Sequence, residues 1–180
     1  TGLEEEEDFI ELTGFVEHFQ EIQHNLNSQT RVVFSMTPLV RFPWTPLEFA
    51  DAPTTDKYNR IIARASKVIT NAGFEFRESA DLPEYWVSQI LVRASDSRVA
   101  KAIEKVVKVT GFVYYREISE SFMEAFQEAL EEQGLNPDKL LKGHTLEESK
   151  SKPWTQIETG VKREFLWEEF ERANVFAEID

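Results

Sequence analysis

Hydrophobic residues recur at helical spacing in the first part of the chain. They fall three or four residues apart, and acidic residues crowd the start of the segment, where the helix dipole favours them. We therefore predict an amphipathic, acidic helical arm within residues 1–30. Gly14 lies inside the pattern and weakens the prediction, because glycine lowers helix propensity. The apolar positions are Phe9, Leu12, Val16, Phe19, Ile22 and Leu26.

The middle of the chain alternates between two patterns. Short β-branched and aromatic runs are typical of strands, and two amphipathic stripes, ending at Gly73 and Gly111, are typical of helices with a glycine after the last turn. The order strand, helix, strand, strand, helix, strand predicts an α+β fold with a ferredoxin-like βαββαβ core over residues 31–118. The predicted strands are 31–36, 74–79, 85–94 and 112–118.

Residues 119–180 predict an acidic helical extension that packs on the core or on a partner. Ser121-x-x-Glu124 matches a capping box before one amphipathic helix. A last amphipathic helix follows, and its aromatic face needs a surface to cover it. That face carries Phe165, Trp167 and Phe170.

One six-residue word occurs twice, as PWTPLE from Pro43 and as PWTQIE from Pro153. Both copies predict a helix start of the capping-box type, with the tryptophan placed to pack against the first turn. The first tryptophan has Phe49 as a suitable partner, whereas the second has only a threonine. We therefore expect Trp154 and the final helix to form a docking arm.

Length and composition are those of a globular protein. The chain has 180 residues, of which 41% are hydrophobic, and it has no cysteine, which excludes disulfides and thiolate chemistry. No stretch approaches about 20 consecutive apolar residues, so we predict no membrane span. The start TGLEEEED is unlike the basic start of a signal peptide, and we expect a soluble, intracellular protein.

Charge is unevenly distributed along the chain. The net charge is −13, and residues 1–30 hold eight acids without a lysine or arginine, whereas residues 31–116 are net basic. Overall acidity argues against nucleic acid as the main partner. The basic middle and the acidic ends could still attract each other or another molecule.

Basic residues recur every three or four positions on both predicted core helices. They are either the ordinary polar sides of two amphipathic helices or a docking surface for an anionic partner, with the acidic arms of this chain as the nearest candidates. Such a contact weakens with salt. The two stripes are Lys57, Arg60, Arg64 and Lys67, and Arg98, Lys101, Lys105 and Lys108.

Motifs for catalysis and cofactor binding are absent from the sequence. It contains no GxGxxG, GxxxxGK[ST] or GxSxG. The three histidines, His18, His24 and His144, lack the spacing of a metal site. We therefore predict no catalytic residues, no metal site and no cofactor.

These patterns favour a non-enzymatic protein-interaction or assembly module whose partner is another protein or a second copy. The alternatives are an acidic inhibitor of a nucleic-acid-binding protein, an RNA- or DNA-binding domain that uses the basic helices, and an enzyme with a carboxylate-based site. The predicted partner-binding residues are Trp154, Phe165, Trp167 and Phe170 with the eight basic residues of the two stripes.

Overall fold

The computed structural model describes the backbone of residues 1–112 and 117–178. These residues form eight α-helices, two short 3₁₀ helices and two strands, β1 (Val33–Met36) and β2 (Glu75–Glu78). No helix among them is long and apolar enough to cross a membrane. The helices are α1 (Glu6–Asn25), α2 (Thr55–Asn71), α3 (Leu82–Val92), α4 (Ser97–Thr110), α5 (Glu120–Glu132), α6 (Pro137–Leu140), α7 (Leu146–Ser149) and α8 (Arg163–Glu178).

The chain divides into two compact units, and each is made from two separate segments. Unit 1 comprises Thr1–Leu39 and Pro53–Asp81, and unit 2 comprises Val40–Ala52 and Leu82–Asp180. The segment 40–52 therefore belongs to unit 2 although it lies between the two parts of unit 1. The domain boundaries predicted at residues 30 and 118 stay a prediction. The fold predicted for the residues between them is a separate matter.

The predicted ferredoxin-like fold is wrong. The described residues are mostly helical, and their only sheet is a pair of short parallel strands. The first two predicted strands exist in shortened form, as β1 and β2. The fourth predicted strand, 112–118, has its central residues 113–116 outside the described part of the chain.

The third predicted strand, 85–94, is the helix α3. Its side chains are apolar around most of the helix, so the run shows neither the alternation of a half-buried strand nor the one-sided stripe of a surface helix. Burial at Tyr85, Val87 and Ile90 shows that α3 is a core helix. A signal for its start was present, since Asp81 precedes it and Pro83 lies in its first turn.

Unit 1 is a β–α–β arrangement with α1 packed beside it. Strand β1 is parallel to β2, with Val33 opposite Glu75. Helix α2, which the sequence predicted between these two strands, lies between them in the chain. The core of the unit forms around Val16 from α1, Ile69 from α2 and Phe74. The helix predicted within residues 1–30 is thus confirmed as α1.

Unit 2 has its apolar core among α3, α4 and α5. Ile90, Val106, Phe126 and Leu130 are almost fully buried there and belong to one cluster. The predicted helices of this region are confirmed, and Gly111 has the positive φ expected of a residue that ends α4.

The capping predictions have mixed outcomes. Thr145 and Glu148 form the reciprocal bonds of a capping box at the start of α7. Helix α5 is capped by Ser119 and not by Ser121, because Ser119 accepts the backbone N–H of Phe122. Neither copy of the repeated word caps an α-helix, and each instead forms a 3₁₀ helix, Pro46–Phe49 and Pro153–Gln156.

Candidate functional site

The aromatic residues predicted to bind a partner have different surroundings. Trp167 and Phe170 pack on Phe49 within unit 2, with ring centroids 5.0 and 5.8 Å away. Trp154 is half-buried, with its ring 6.1 Å from that of His144. Phe165 is 53% exposed. Among the four aromatic residues predicted to bind a partner, Phe165 is therefore the one whose ring is open to solvent. The side chains of Trp154, Trp167 and Phe170 already contact other residues of unit 2.

The basic stripes lie on α2 and α4, in different units. Lys57 is half-buried and the other seven residues are exposed. On α2, Arg64 forms an ion pair with Glu6 of α1 and lies 4.4 Å from the centroid of the Phe9 ring. On α4, Lys105 forms an ion pair with Glu132 of α5. Acidic helices thus contact both basic helices, although the ferredoxin-like topology that would have placed the stripes side by side is absent.

Several basic residues are balanced locally. Arg98 pairs with Asp96 just before its own helix, and Lys108 pairs with Glu104 one turn away. The start of α1 and the stripe of α2 line one open groove, which contains Glu4, Glu5, Glu6, Lys57, Arg60 and Arg64. A groove lined by both charges is a poor site for a polyanion, since its acids repel phosphate.

A buried carboxylate, which sequence analysis missed, connects three segments of unit 2. The side chain of Glu48 is 0% exposed. One of its oxygens accepts from Nη2 of Arg163 and lies 3.2 Å from Nε2 of His144, and the other accepts the backbone N–H of Trp44. Arg163 also donates from Nε to the hydroxyl oxygen of Ser149 at 2.9 Å. We call these five residues the Glu48 cluster.

A second buried arginine lies beside His144 and bears on its tautomer. Nη2 of Arg93 lies 3.4 Å from Nδ1 of His144 and donates to the carbonyl of Lys142 at 2.6 Å, while Nη1 donates to the carbonyl of Ala50 at 3.1 Å. Since arginine can only donate, Nδ1 of His144 must accept. In this tautomer Nε2 carries the ring proton and donates it to Glu48.

The Glu48 cluster encloses its carboxylate among hydrogen-bond donors. Burial alone raises the pKa of Glu48, but the hydrogen bonds from His144 and from the Trp44 backbone, with the charge of Arg163, outweigh burial and lower the pKa. A fully buried carboxylate with three donors has no open side for a substrate. A general acid or base must reach the proton that it moves, so this carboxylate does not fit the predicted alternative of a carboxylate-based enzyme.

The surface of unit 1 carries a different feature, an exposed stripe along α1. Phe15, Ile22 and Leu26 are 54%, 40% and 72% exposed, and they lie seven and four residues apart on one side of the helix, with Leu26 as the residue directly after its end. Asp8 and Glu11 continue the same line toward the start of the helix. We call these five residues the α1 stripe.

The α1 stripe lies on the β1 side of α1, away from α2. Gln20 donates to the carbonyl of Ala72 at the end of α2, at 3.2 Å, so the face of α1 with Gln20 points to α2. The ring of Phe15, in contrast, lies 6.3 Å from that of Phe34 in β1. Sequence analysis placed Ile22 and Leu26 on the buried face of the first helix, and the structure shows both to be exposed.

No group of histidines, aspartates and glutamates in the described part of the chain is arranged to hold a metal ion. Comparison with protein-family models, with curated proteins and with solved structures finds no match to this chain. The case for a function therefore depends on the surfaces and contacts described above.

Proposed function

We propose that this protein is a non-enzymatic protein-interaction module and that the α1 stripe is its docking surface. One observation carries the proposal: an aromatic and two large aliphatic side chains are exposed along one side of α1, next to an aromatic of β1. Apolar patches of this kind with a polar rim are typical of protein-binding surfaces. In this chain the rim is acidic.

The exposed aromatic is the strongest part of this proposal. Side chains such as Phe15 supply much of the affinity at protein interfaces, because they bury a large apolar area with few rotatable bonds. Phe15 is held in place by Phe19, at a ring distance of 5.0 Å, and by Phe34. A preformed aromatic surface loses less conformational entropy on binding than a mobile one.

The alternatives have weaker support. Two observations argue against nucleic-acid binding through the basic helices. The net charge of the chain is −13, and Arg64 and Lys105 form ion pairs with neighbouring acids. An inhibitor of a nucleic-acid-binding protein is compatible with the same docking surface, since it would also be a protein-interaction module. What separates these possibilities is the identity of the partner and the effect of nuclease.

The test is a pull-down of the full chain from a lysate of its source, with and without nuclease, using the wild type, F15S and F165S. Phe165 is the matched control, because it is exposed to the same extent as Phe15 and also lies on an acidic helix. We expect a stoichiometric protein that survives nuclease, is retained by F165S and is lost from F15S.

Two results would contradict this proposal. Capture that disappears on nuclease treatment would favour the nucleic-acid alternative. A nuclease-resistant partner that F15S retains and F165S loses would locate the docking surface on the final helix, as the sequence had suggested. Circular dichroism of each variant shows whether the substitution has left the helices intact.

A further inference from the structure

The α1 stripe has two parts of different chemistry. Phe15, Ile22 and Leu26 form an apolar part toward the end of α1, and Asp8 and Glu11 form an acidic part near its start. At a rise of about 1.5 Å per residue, Asp8 lies about 10 Å from Phe15 along the helix axis, and Leu26 about 16 Å in the other direction. A molecule that covers the whole stripe must therefore be apolar at one end and carry the opposite charge at the other.

The acidic part of the stripe is available to a cation. Glu6 on the same helix pairs with Arg64, whereas no cation among the described residues pairs with the exposed carboxylates of Asp8 and Glu11. Asp8 accepts the backbone N–H of Glu5 at 2.8 Å and has acceptor capacity left. Residues 1–30 contain no lysine or arginine that could neutralise these acids. A basic residue of a partner can thus bind here without breaking an existing ion pair.

The spacing of the stripe is that of a seam between two helices. Asp8, Phe15 and Ile22 recur every seven residues, and Glu11 and His18 follow the first two of them by three residues. Residues at these two positions of a seven-residue repeat face the partner helix in a coiled coil. All five are exposed. A second helix of similar length can therefore lie along the stripe.

A helix matches both parts of the stripe, whereas an extended segment does not. In a strand, successive side chains point to opposite sides, so the neighbours of residues that cover Phe15 point away from α1. In a helix, residues three, four and seven apart share one side, so apolar and basic residues can follow each other in a single line. The long stem of a lysine beside this line also reaches the exposed Glu7, four residues before Glu11.

A second copy of this chain does not fit the stripe. In an antiparallel pair of α1 helices, Asp8 and Glu11 of each copy would lie against the apolar part of the other, where burial of an unpaired carboxylate is unfavourable. In a parallel pair the same acids would face each other and repel. Charge complementarity therefore favours a different protein, one with lysine or arginine at one end of its apolar line.

We propose that the α1 stripe binds an amphipathic helix of a partner protein whose apolar line is continued at one end by lysine or arginine. The inference rests on the proposed function, which requires only that the stripe bind a protein. It adds the form of the bound segment and the position of its charge. The apolar part of the partner helix covers Phe15, Ile22 and Leu26, and its basic end lies over Asp8 and Glu11.

The test uses a blocked synthetic helical peptide of about 20 residues, the length of α1. Leucine occupies the seam positions of its first turns and lysine those of its last turns, where the dipole of the peptide helix also favours cations, and the other residues are alanine and glutamine. One control peptide has the same composition with leucine and lysine at every second position, and the other has glutamate in place of lysine. Calorimetry at low salt measures binding to the full chain. We expect the first peptide to bind at least about tenfold more tightly than either control.

Two substitutions on α1 test the position of the charge. E11K and E17K each replace one exposed glutamate by lysine, so they change the net charge of the chain equally. Glu17 lies two residues after Phe15, about 160° away around the helix, and is therefore outside the stripe. We expect E11K to weaken binding of the lysine peptide about threefold or more, and E17K to weaken it less than about twofold. The difference should disappear at about 1 M salt, and E11K should bind the glutamate peptide more tightly than the wild type does.

Several outcomes overturn the inference. These are no binding of the helical lysine peptide, equal binding of either control peptide, equal weakening by E11K and E17K, and a dimer of the wild type that F15S abolishes. If F15S loses the captured protein while E11K and E17K retain it equally, the proposed function stands and the basic helix is wrong. If F15S retains the captured protein, the proposed function itself fails.

Discussion

The indole N–H of Trp44 donates to the backbone carbonyl of Trp154 at a distance of 3.2 Å, across 110 positions of sequence. The two copies of the repeated word therefore meet in unit 2. Each copy forms a 3₁₀ helix, and the side chain of the first is hydrogen-bonded to the backbone of the second. The repetition reflects two similar turns in contact and not two capped α-helices.

In the contact between these tryptophans, the indole of Trp44 donates a hydrogen bond and the indole of Trp154 does not. Replacement of each by phenylalanine therefore gives a matched pair of substitutions. W44F removes the indole donor and leaves the Trp154 carbonyl without it. The indole nitrogen of Trp154 is buried without a hydrogen-bond partner among the described residues, so W154F removes a donor that no bond satisfies. We expect W44F to cost about 1 kcal/mol more than W154F in the free energy of unfolding. Urea denaturation of both variants measures the difference. Equal costs would mean that the bond contributes nothing.

Removal of the buried charge of Glu48 should have a large effect. E48Q keeps the shape of the side chain but leaves Arg163 buried without its carboxylate, and breaking a buried pair in this way costs about 3–5 kcal/mol. E147Q removes a carboxylate that is 82% exposed and pairs with Lys150, and it serves as the control. We expect the denaturation midpoint to fall sharply for E48Q and to stay unchanged for E147Q. A loss below about 1 kcal/mol for E48Q would mean that Arg163 finds another partner.

Acid should remove the contribution of Glu48. Its pKa in the folded protein is below the ordinary value of 4.5. The stability that it contributes is therefore fully present above pH 4.5 and is lost as pH falls through the lowered pKa. Glutamine does not titrate, so the wild type and E48Q should differ most near neutral pH and converge in acid. Unfolding curves of both proteins between neutral and acidic pH test this. A difference that is constant with pH would contradict it.

Replacement of two glycines by alanine should change the stability of the protein in opposite directions. A Cβ on Gly143 would lie 2.0 Å from the carbonyl oxygen of Phe49, which is backbone and cannot turn away. We expect G143A to destabilise the protein by about 1–3 kcal/mol. A Cβ on Gly14, inside α1, meets nothing within 4 Å, and G14A should stabilise by about 0.5–1 kcal/mol. Thermal unfolding of the two variants compares the signs. Destabilisation by both would show that the α1 backbone needs Gly14.

Some elements were predictable because their cause is local. The stripe of α2 from Tyr58 to Ile69 has one buried side, and its period is read directly from the sequence. The capping box of Thr145 involves residues three apart. The α1 helix was found for the same reason, although its spacing alone did not show that Ile22 and Leu26 would lie outside the core.

Other features depend on distant partners. The apolar run of α3 looks like a strand because a buried helix has no polar face to set a period. The Glu48 cluster depends on a hydrogen bond between residues 115 positions apart, and nothing near Glu48 marks it as buried. Arg93 gave a weak signal, since it follows directly on the apolar run that ends at Val92. Its acceptors are two backbone carbonyls and His144, and no motif reveals them.

The interrupted order of the two units affects how the chain folds as it emerges from the ribosome. The last segment of unit 1 is complete at Asp81, whereas the segment 40–52 must wait for the rest of unit 2. Glu48 in particular is synthesised 115 residues before Arg163. Synthesis proceeds at about 5–20 residues per second, so this carboxylate stays in water for several seconds until its arginine arrives. A nascent chain that is stopped before Arg163 would thus hold Glu48 without its arginine, and the Glu48 cluster can close only after Arg163 has been synthesised.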